Sequence, residues 1–126
     1  MLNSSVSAYE VLKKIYNPGI LELIEEFYVL FLDCKLRVLG YYMIGRGGID
    51  HVAVDSRIIF ALTLKTASTH IILSHNHPSN FCQPSRADLE MTRHICQRAS
   101  IFGIKVIDHI IFTSHGYYSF RDNKQF

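Results

Sequence analysis

Two histidines one residue apart lie between a short apolar run and a segment with the marks of a helix start. The run covers residues 71–73, and the histidines are His75 and His77. On a β-strand, side chains at i and i+2 point to the same face, so both imidazoles can converge on one ion. Ser85 and Asp88 follow at the spacing of a helix cap, and Asp88 offers an anionic oxygen from this separate element. The feature predicts a strand, a loop and a helix that meet at a metal ion.

Three protein ligands leave the fourth position of a tetrahedral zinc for water, which is the arrangement of a catalytic site. Iron accepts the same two imidazoles and carboxylate. Each part also has a plainer interpretation, since His-Asn-His-Pro can be a polar turn and Ser85 with Asp88 a capping pair. Capping and ligation are compatible. The joint spacing therefore favours one zinc ion per chain, bound by His75, His77 and Asp88.

Length and composition predict one globular domain. The chain has 126 residues, of which 48% are apolar and 19% charged, and we place the core at about residues 5–122. The formal net charge is +2 and the basic residues are scattered, so the charge supports DNA binding only weakly. No apolar run has transmembrane length, and no signal peptide is seen. The three cysteines form no Cys-x-x-Cys, so we expect a cytoplasmic protein with reduced thiols.

Hydrophobic periodicity and turn residues predict an alternating series of helices and strands. A helix over residues 5–16, with a capping box from Ser7, precedes a hairpin of strands 27–33 and 37–44 and a flexible glycine loop over 45–48. A helix capped by Asp55 or Ser56 and running to residue 67, strand 71–73, helix 86–102 and strands 104–112 and 117–120 complete the order. This order predicts one α/β domain, with a mixed β-sheet flanked by helices.

Three motifs resemble the RadC-like branch of the JAB/MPN (JAMM) metalloprotease fold. They are His-Asn-His-Pro-Ser at residues 75–79, Pro-Ser-Arg-Ala-Asp at 84–88 and Asp-His-Ile-Ile at 108–111. The resemblance covers nearly the whole chain and implies an architecture related to cytidine deaminases. Members of that superfamily are zinc peptidases or isopeptidases. The RadC-like branch is named for DNA repair, a historical label, and its full-length members carry an N-terminal helix-hairpin-helix region that this sequence does not contain.

The resemblance also implies roles for particular residues. The family's zinc ligands fall on His75, His77 and Asp88, and its motif serine, which positions the active-site water and stabilises the oxyanion, falls on Ser85. Its catalytic glutamate precedes the first strand in the pattern Glu-x-Phe-x-Val-Leu, which selects Glu25.

The residues alone do not separate Glu25 from Glu22 and Glu26. Without the resemblance, the favoured interpretation of all three glutamates is the solvated end of an acidic helix.

Two departures from the family pattern lie in the loop after the histidines. Asn80 stands where relatives have glycine, and asparagine is the best substitute for glycine in a left-handed conformation. Cys82 is open to three interpretations: a fourth ligand, a redox-sensitive thiol or a plain loop residue.

The other histidines have no partner at ligand spacing. These are His51, His70, His94 and His115, whereas Asp108 and His109 are expected to form an internal hydrogen-bonded pair rather than a second metal site.

The leading hypothesis is hydrolysis of a peptide or isopeptide bond in a protein or peptide substrate that the sequence does not identify. The alternative is a non-catalytic, zinc-containing module that binds DNA or protein. A metal-dependent nuclease ranks third, because such enzymes usually use two ions and the sequence shows ligands for one. The nucleobase-deaminase signature, His-x-Glu with a later Pro-Cys-x-x-Cys, is absent.

Overall fold

A computed structural model describes residues 1–48 and 53–126 of the chain. Within them, three helices and five strands follow one another in the predicted order. They are α1 (Ser5–Lys13), β1 (Glu26–Leu32), β2 (Val38–Arg46), α2 (Ser56–Lys65), β3 (His70–Asn76), α3 (Arg86–Ile101), β4 (Lys105–Thr113) and β5 (Gly116–Ser119). The prediction of a single α/β domain with a mixed sheet, as in the JAB/MPN fold, is confirmed.

The five strands form one sheet in the order β2-β1-β3-β4-β5. β1 runs antiparallel to both β2 and β3, while β3 and β4 are parallel and β5 returns antiparallel along β4. A parallel pair needs a crossover connection, and α3 provides it between β3 and β4. This crossover places the start of α3 near the carboxyl end of β3.

Helices cover both faces of the sheet, and each face has its own apolar core. Successive side chains of β1 point to opposite faces, so Leu30 packs in the core under α1 while Val29 packs in the core under α2 and α3. All seven residues of β1 are buried as a result. The sequence of β1 after Glu26 is a continuous apolar run, and not an alternating one, because both faces of the strand are covered.

The first helix starts at Ser5 as predicted, but it ends earlier than predicted and has a different capping box. Its N-cap is Ser4, whose side chain accepts a hydrogen bond from the Ser7 N–H, so Ser7 is the third helical residue rather than the cap. The helix ends at Lys13, and Ile15 closes a tighter turn by donating to the Leu12 carbonyl. Tyr16 still donates its N–H to the Leu12 carbonyl at 3.0 Å, and its buried hydroxyl hydrogen-bonds the Ser74 hydroxyl at 2.8 Å.

The prediction of a flexible loop over residues 45–48 is wrong. Gly45 and Arg46 pair with Phe27 and Glu26 and belong to β2. The next two glycines are also held, because the Gly47 N–H donates to the Glu25 carbonyl and the Glu25 N–H donates to the Gly48 carbonyl. Glycine permits many conformations, but here hydrogen bonds with neighbouring backbone groups hold the segment beside Glu25.

The remaining differences are small. β3 extends beyond the predicted residues 71–73 at both ends, and Asp55, rather than Ser56, caps α2. No helix in the described part of the chain is long and apolar enough to cross a membrane.

Candidate metal centre

The end of β3 places His75 and His77 on the face of the sheet that α2 and α3 cover. His75 lies in the strand, and its ring is parallel to that of Phe27, with ring centroids 6.0 Å apart. His77 follows the last strand residue, but its N–H donates to the Phe112 carbonyl at 3.2 Å and so extends the pairing with β4. The intervening Asn76 accepts from the Glu26 N–H and donates to the Leu21 and Ile24 carbonyls. These bonds fix the backbone between the two histidines.

The first turn of α3 supplies Asp88. Ser85 is the N-cap, and its Oγ accepts a hydrogen bond from the Asp88 N–H at 3.0 Å. In return, the Ser85 N–H donates to Asp88 Oδ2 at 2.9 Å, which completes a capping box. The predicted cap is therefore confirmed. It also locks the carboxylate that faces the two histidines.

Three donor atoms from these side chains converge. The Nε2 atoms of His75 and His77 are 2.9 Å apart, and Asp88 Oδ2 lies 3.3 Å from the first and 3.1 Å from the second. Ligand atoms on a tetrahedral zinc with Zn–N bonds of 2.0–2.1 Å are about 3.3 Å apart, so the three atoms fit one face of such a tetrahedron. The cluster could hold a metal ion, and within residues 1–48 and 53–126 no other group of three such side chains does so.

The charges of the cluster suit a cation. Burial acts to raise the pKa of Asp88, but hydrogen bonds from His75 and His77 outweigh it and hold that pKa well below its usual value. Burial acts to lower the pKa of His77, but its bonds to Asp88 and to the Phe81 carbonyl together raise it. Asp88 is thus a carboxylate at neutral pH, and a positive charge, from a proton or a metal ion, is favoured beside it.

A hydrogen bond behind each imidazole sets its orientation. His77 Nδ1 lies 2.6 Å from the Phe81 carbonyl oxygen, which can only accept, so Nδ1 carries the proton and Nε2 faces Asp88 as a lone pair when the ring is neutral. His75 Nδ1 lies 2.7 Å from Nε2 of His109. A backbone carbonyl, such as that of Phe81, is a typical partner of a metal-binding histidine.

Sequence reasoning missed this position of His109. The Asp108 carboxylate does accept from the His109 N–H at 2.7 Å, but the His109 side chain contacts His75 and Thr92 instead. Burial holds the pKa of His109 well below its usual value, so its ring is neutral. The motif Asp-His was visible in the sequence, but the contact depends on the register between β3 and β4.

Glu25 and Ser85 line the same groove as His77 and Asp88. This groove, which we call the metal groove, has a volume of about 290 Å³ and is completed by Pro78, Ser79, Phe81, Gln83 and Pro84. Glu25 is buried directly before β1, whereas Ser85 is exposed at the start of α3. The groove joins two of the proposed ligands, His77 and Asp88, to both predicted catalytic residues.

The other two glutamates lie outside the metal groove. Glu22 accepts hydrogen bonds from Ser114 and Asn80, and Glu26 forms an ion pair with Arg46 at 3.0 Å. The structure therefore separates the three glutamates that the residues alone did not.

Asn80 and Cys82 have clear surroundings in the loop after His77. Asn80 has a φ of +63°, which confirms the expected left-handed conformation. Burial raises the pKa of the Cys82 thiol, and Cys82 does not belong to the cluster of His75, His77 and Asp88. Three of the other histidines, His70, His94 and His115, also lie outside that cluster, and His51 falls outside the described residues.

The fold is a small α/β domain built on a five-stranded mixed sheet. Its His-x-His sequence at the end of β3 lies beside the aspartate of the α3 capping box, and together these side chains could hold a metal ion. The amino-acid sequence matches the family model described as "RadC-like JAB domain" over residues 2–125. The chain belongs to this family, as its motifs indicated.

Related bacterial proteins carry the name UPF0758 protein. One from Flavobacterium johnsoniae is 43% identical over 98 residues, which cover 78% of this chain and 43% of the relative. One from Finegoldia magna is 39% identical over 103 residues, or 82% of this chain and 46% of the relative. One from Symbiobacterium thermophilum is 36% identical over 99 residues, or 79% and 42%. The matches span less than half the length of these relatives.

Proposed function

We propose that this domain is a zinc-dependent hydrolase that cleaves a peptide or isopeptide bond. The observation that carries the proposal is the convergence of three donor atoms, from His75, His77 and Asp88, beside a groove that also contains Glu25 and Ser85. Structural zinc sites use four protein ligands, whereas three ligands beside an accessible groove suit a catalytic ion.

The residues fit zinc in number and in chemistry. Two imidazole nitrogens and one carboxylate oxygen form a common ligand set for this ion, and both histidines can offer Nε2. When bound, zinc acts as a Lewis acid that makes water a nucleophile near neutral pH.

Glu25 and Ser85 have complementary tasks in this proposal. Glu25 accepts the proton of the attacking water as general base and returns it to the leaving amine as general acid. Ser85 Oγ already accepts from the Asp88 N–H, which leaves its own proton for the oxyanion of the tetrahedral intermediate. Both side chains line the groove, each from the start of a different element, with Glu25 directly before β1 and Ser85 directly before α3.

The test compares three variants on peptide and isopeptide substrates. We expect Glu25→Gln to keep zinc but to lose turnover by roughly 10²–10⁴-fold, because it removes proton transfer alone. Asp88→Ala should lose both zinc and turnover. Glu22→Gln is the matched control, since Glu22 is a nearby glutamate outside the metal groove. Full activity in Glu25→Gln would exclude the general-base role.

A second candidate is a zinc-containing module that binds another protein. The edge strand β2 exposes a group of large apolar side chains, namely Leu39, Tyr41, Tyr42 and Met43. Exposed apolar groups of this kind often mark protein interfaces. Binding without turnover, unchanged in Glu25→Gln, would favour this function over hydrolysis.

DNA binding and phosphodiester hydrolysis have less support. The net charge is only +2, and the described residues offer ligands for one ion rather than two. A shift of labelled DNA that weakens steeply with added salt would support the DNA-binding alternative.

A further inference from the structure

A chain of hydrogen bonds leads from one proposed ligand to the backbone of another. His75 Nδ1 lies 2.7 Å from His109 Nε2, His109 Nδ1 lies 2.6 Å from Thr92 Oγ1, and the Thr92 hydroxyl donates to the Asp88 carbonyl at 2.7 Å. All three of these side chains are buried, with exposed fractions of 1% for His75, 0% for His109 and 2% for Thr92. Water therefore does not compete for these bonds.

With a neutral His109 ring, one arrangement of protons alone makes all three contacts hydrogen bonds, and it follows from the last member of the chain. The Asp88 carbonyl can only accept, so the single hydroxyl proton of Thr92 points at it. Thr92 Oγ1 must then accept from His109, which places the ring proton of His109 on Nδ1. A neutral imidazole has one such proton, so His109 Nε2 is an acceptor and His75 Nδ1 must be the donor.

This arrangement of protons determines the state of Nε2, the proposed metal-binding atom of His75. When the His75 ring is neutral and its proton is held on Nδ1, the ring presents Nε2 as a lone pair toward His77 and Asp88. The Phe81 carbonyl does the same for His77, but through the backbone, which no side-chain substitution removes. The tautomer of His75 instead depends on the side chains of His109 and Thr92, neither of which is among the three proposed ligands.

We propose that His109 and Thr92 are positioning residues that fix His75 in the tautomer able to bind zinc. This proposal rests on the proposed function, because it supposes that zinc binds at His75, His77 and Asp88. Loss of the Thr92 hydroxyl leaves the His109 Nδ1–H without its acceptor and favours the other His109 tautomer. Two N–H groups would then face each other between His109 and His75, and the His75 proton would move to Nε2.

The experiment compares Thr92→Val with Thr92→Ser by competition for zinc with a chromophoric chelator. Valine keeps the shape of threonine but lacks the hydroxyl, whereas serine keeps the hydroxyl and lacks the methyl group. We expect Thr92→Val to bind zinc about 10–100-fold more weakly than the wild type, the usual cost of losing such a partner. Thr92→Ser should bind as the wild type does. Equal weakening in both variants, or none in Thr92→Val, would overturn the proposal.

A second measurement reads the tautomer directly in the wild-type protein. Nitrogen NMR of the histidine rings should show His109 with its proton on Nδ1 and a bare Nε2, and a proton on Nε2 would overturn the proposal. This result decides the matter even where Thr92→Val does not fold, as judged by circular dichroism. A wild type that binds no zinc but shows the expected His109 tautomer contradicts the proposed function alone.

Discussion

Ser85 combines a structural and a proposed chemical task in one side chain. Its Oγ caps α3 by accepting from the Asp88 N–H, and the residue also lines the metal groove. Ser4 caps α1 through a similar capping box with Ser7, but α1 packs on the opposite face of the sheet. The two serines therefore form a matched pair in which only one belongs to the metal groove.

We expect Ser85→Ala and Ser4→Ala each to lower the free energy of unfolding by about 1 kcal/mol, the usual cost of a lost N-cap. Only Ser85→Ala should also lower kcat, because only Ser85 borders the groove. Chemical denaturation and steady-state kinetics measure the two effects. An unchanged kcat in Ser85→Ala would leave this residue with its capping role alone.

Single residues differ in how far the sequence predicts them. The left-handed turn at Asn80 was predictable because few residue types adopt a positive φ easily. Glu25 was not predictable from the residues alone, because three glutamates lie within five positions and their side chains differ only in the tertiary contacts they make. The resemblance selected Glu25, and its position in the metal groove supports that choice.

At the scale of elements, the β4–β5 hairpin is organised around a buried carboxylate. Asp108 accepts hydrogen bonds from the His109 N–H at 2.7 Å, the Arg121 N–H at 3.0 Å and the Ser119 hydroxyl at 2.6 Å. Burial nevertheless outweighs these bonds and raises the pKa of Asp108. The charged form is therefore less favourable in the folded protein than in the unfolded chain.

This raised pKa makes the stability of the domain depend on pH. A group whose folded pKa is raised contributes stability that is present below its unfolded pKa and is lost as pH rises through the folded pKa. We expect the wild type to lose stability relative to Asp108→Asn over that interval, since asparagine can accept the same two backbone bonds without a charge. Denaturation between pH 4 and 7 measures the difference. A difference that does not vary with pH would contradict this account, and Glu10→Gln is an exposed control.

The order of the elements was predictable because apolar periodicity and turn residues report it locally. The ends of the helices and strands were less predictable, because Gly45, for example, joins β2 only through its pairing with Phe27. The contact between His75 and His109 could not be predicted either, because it also depends on how strands pair. It requires the parallel register that sets Leu73 beside His109, together with the irregularity between Ile71 and Ile72.

At the scale of the whole molecule, the donor cluster joins the two ends of the β3–α3 connection. Two donors come from β3 and its next residue, and the third comes from the first turn of α3. An ion bound there would link these elements in the folded chain alone, because the unfolded chain does not hold the three donors together.

We therefore expect zinc to raise the thermal stability of the domain and a chelator to reverse the effect. At a free zinc concentration of 100 times Kd, the gain is about 2.7 kcal/mol. Differential scanning calorimetry of the wild type and of Asp88→Ala measures it. The same gain in both proteins would show that zinc acts elsewhere on the chain.

The most direct test of the metal centre is the zinc content of tag-free protein by elemental analysis. Glu90→Ala provides the matched control for Asp88→Ala, because Glu90 is an exposed acid on the same helix. We expect about one zinc per chain in the wild type and in Glu90→Ala, and none in Asp88→Ala. No stoichiometric zinc in the reconstituted wild type, or full retention in Asp88→Ala, would contradict the three-ligand site.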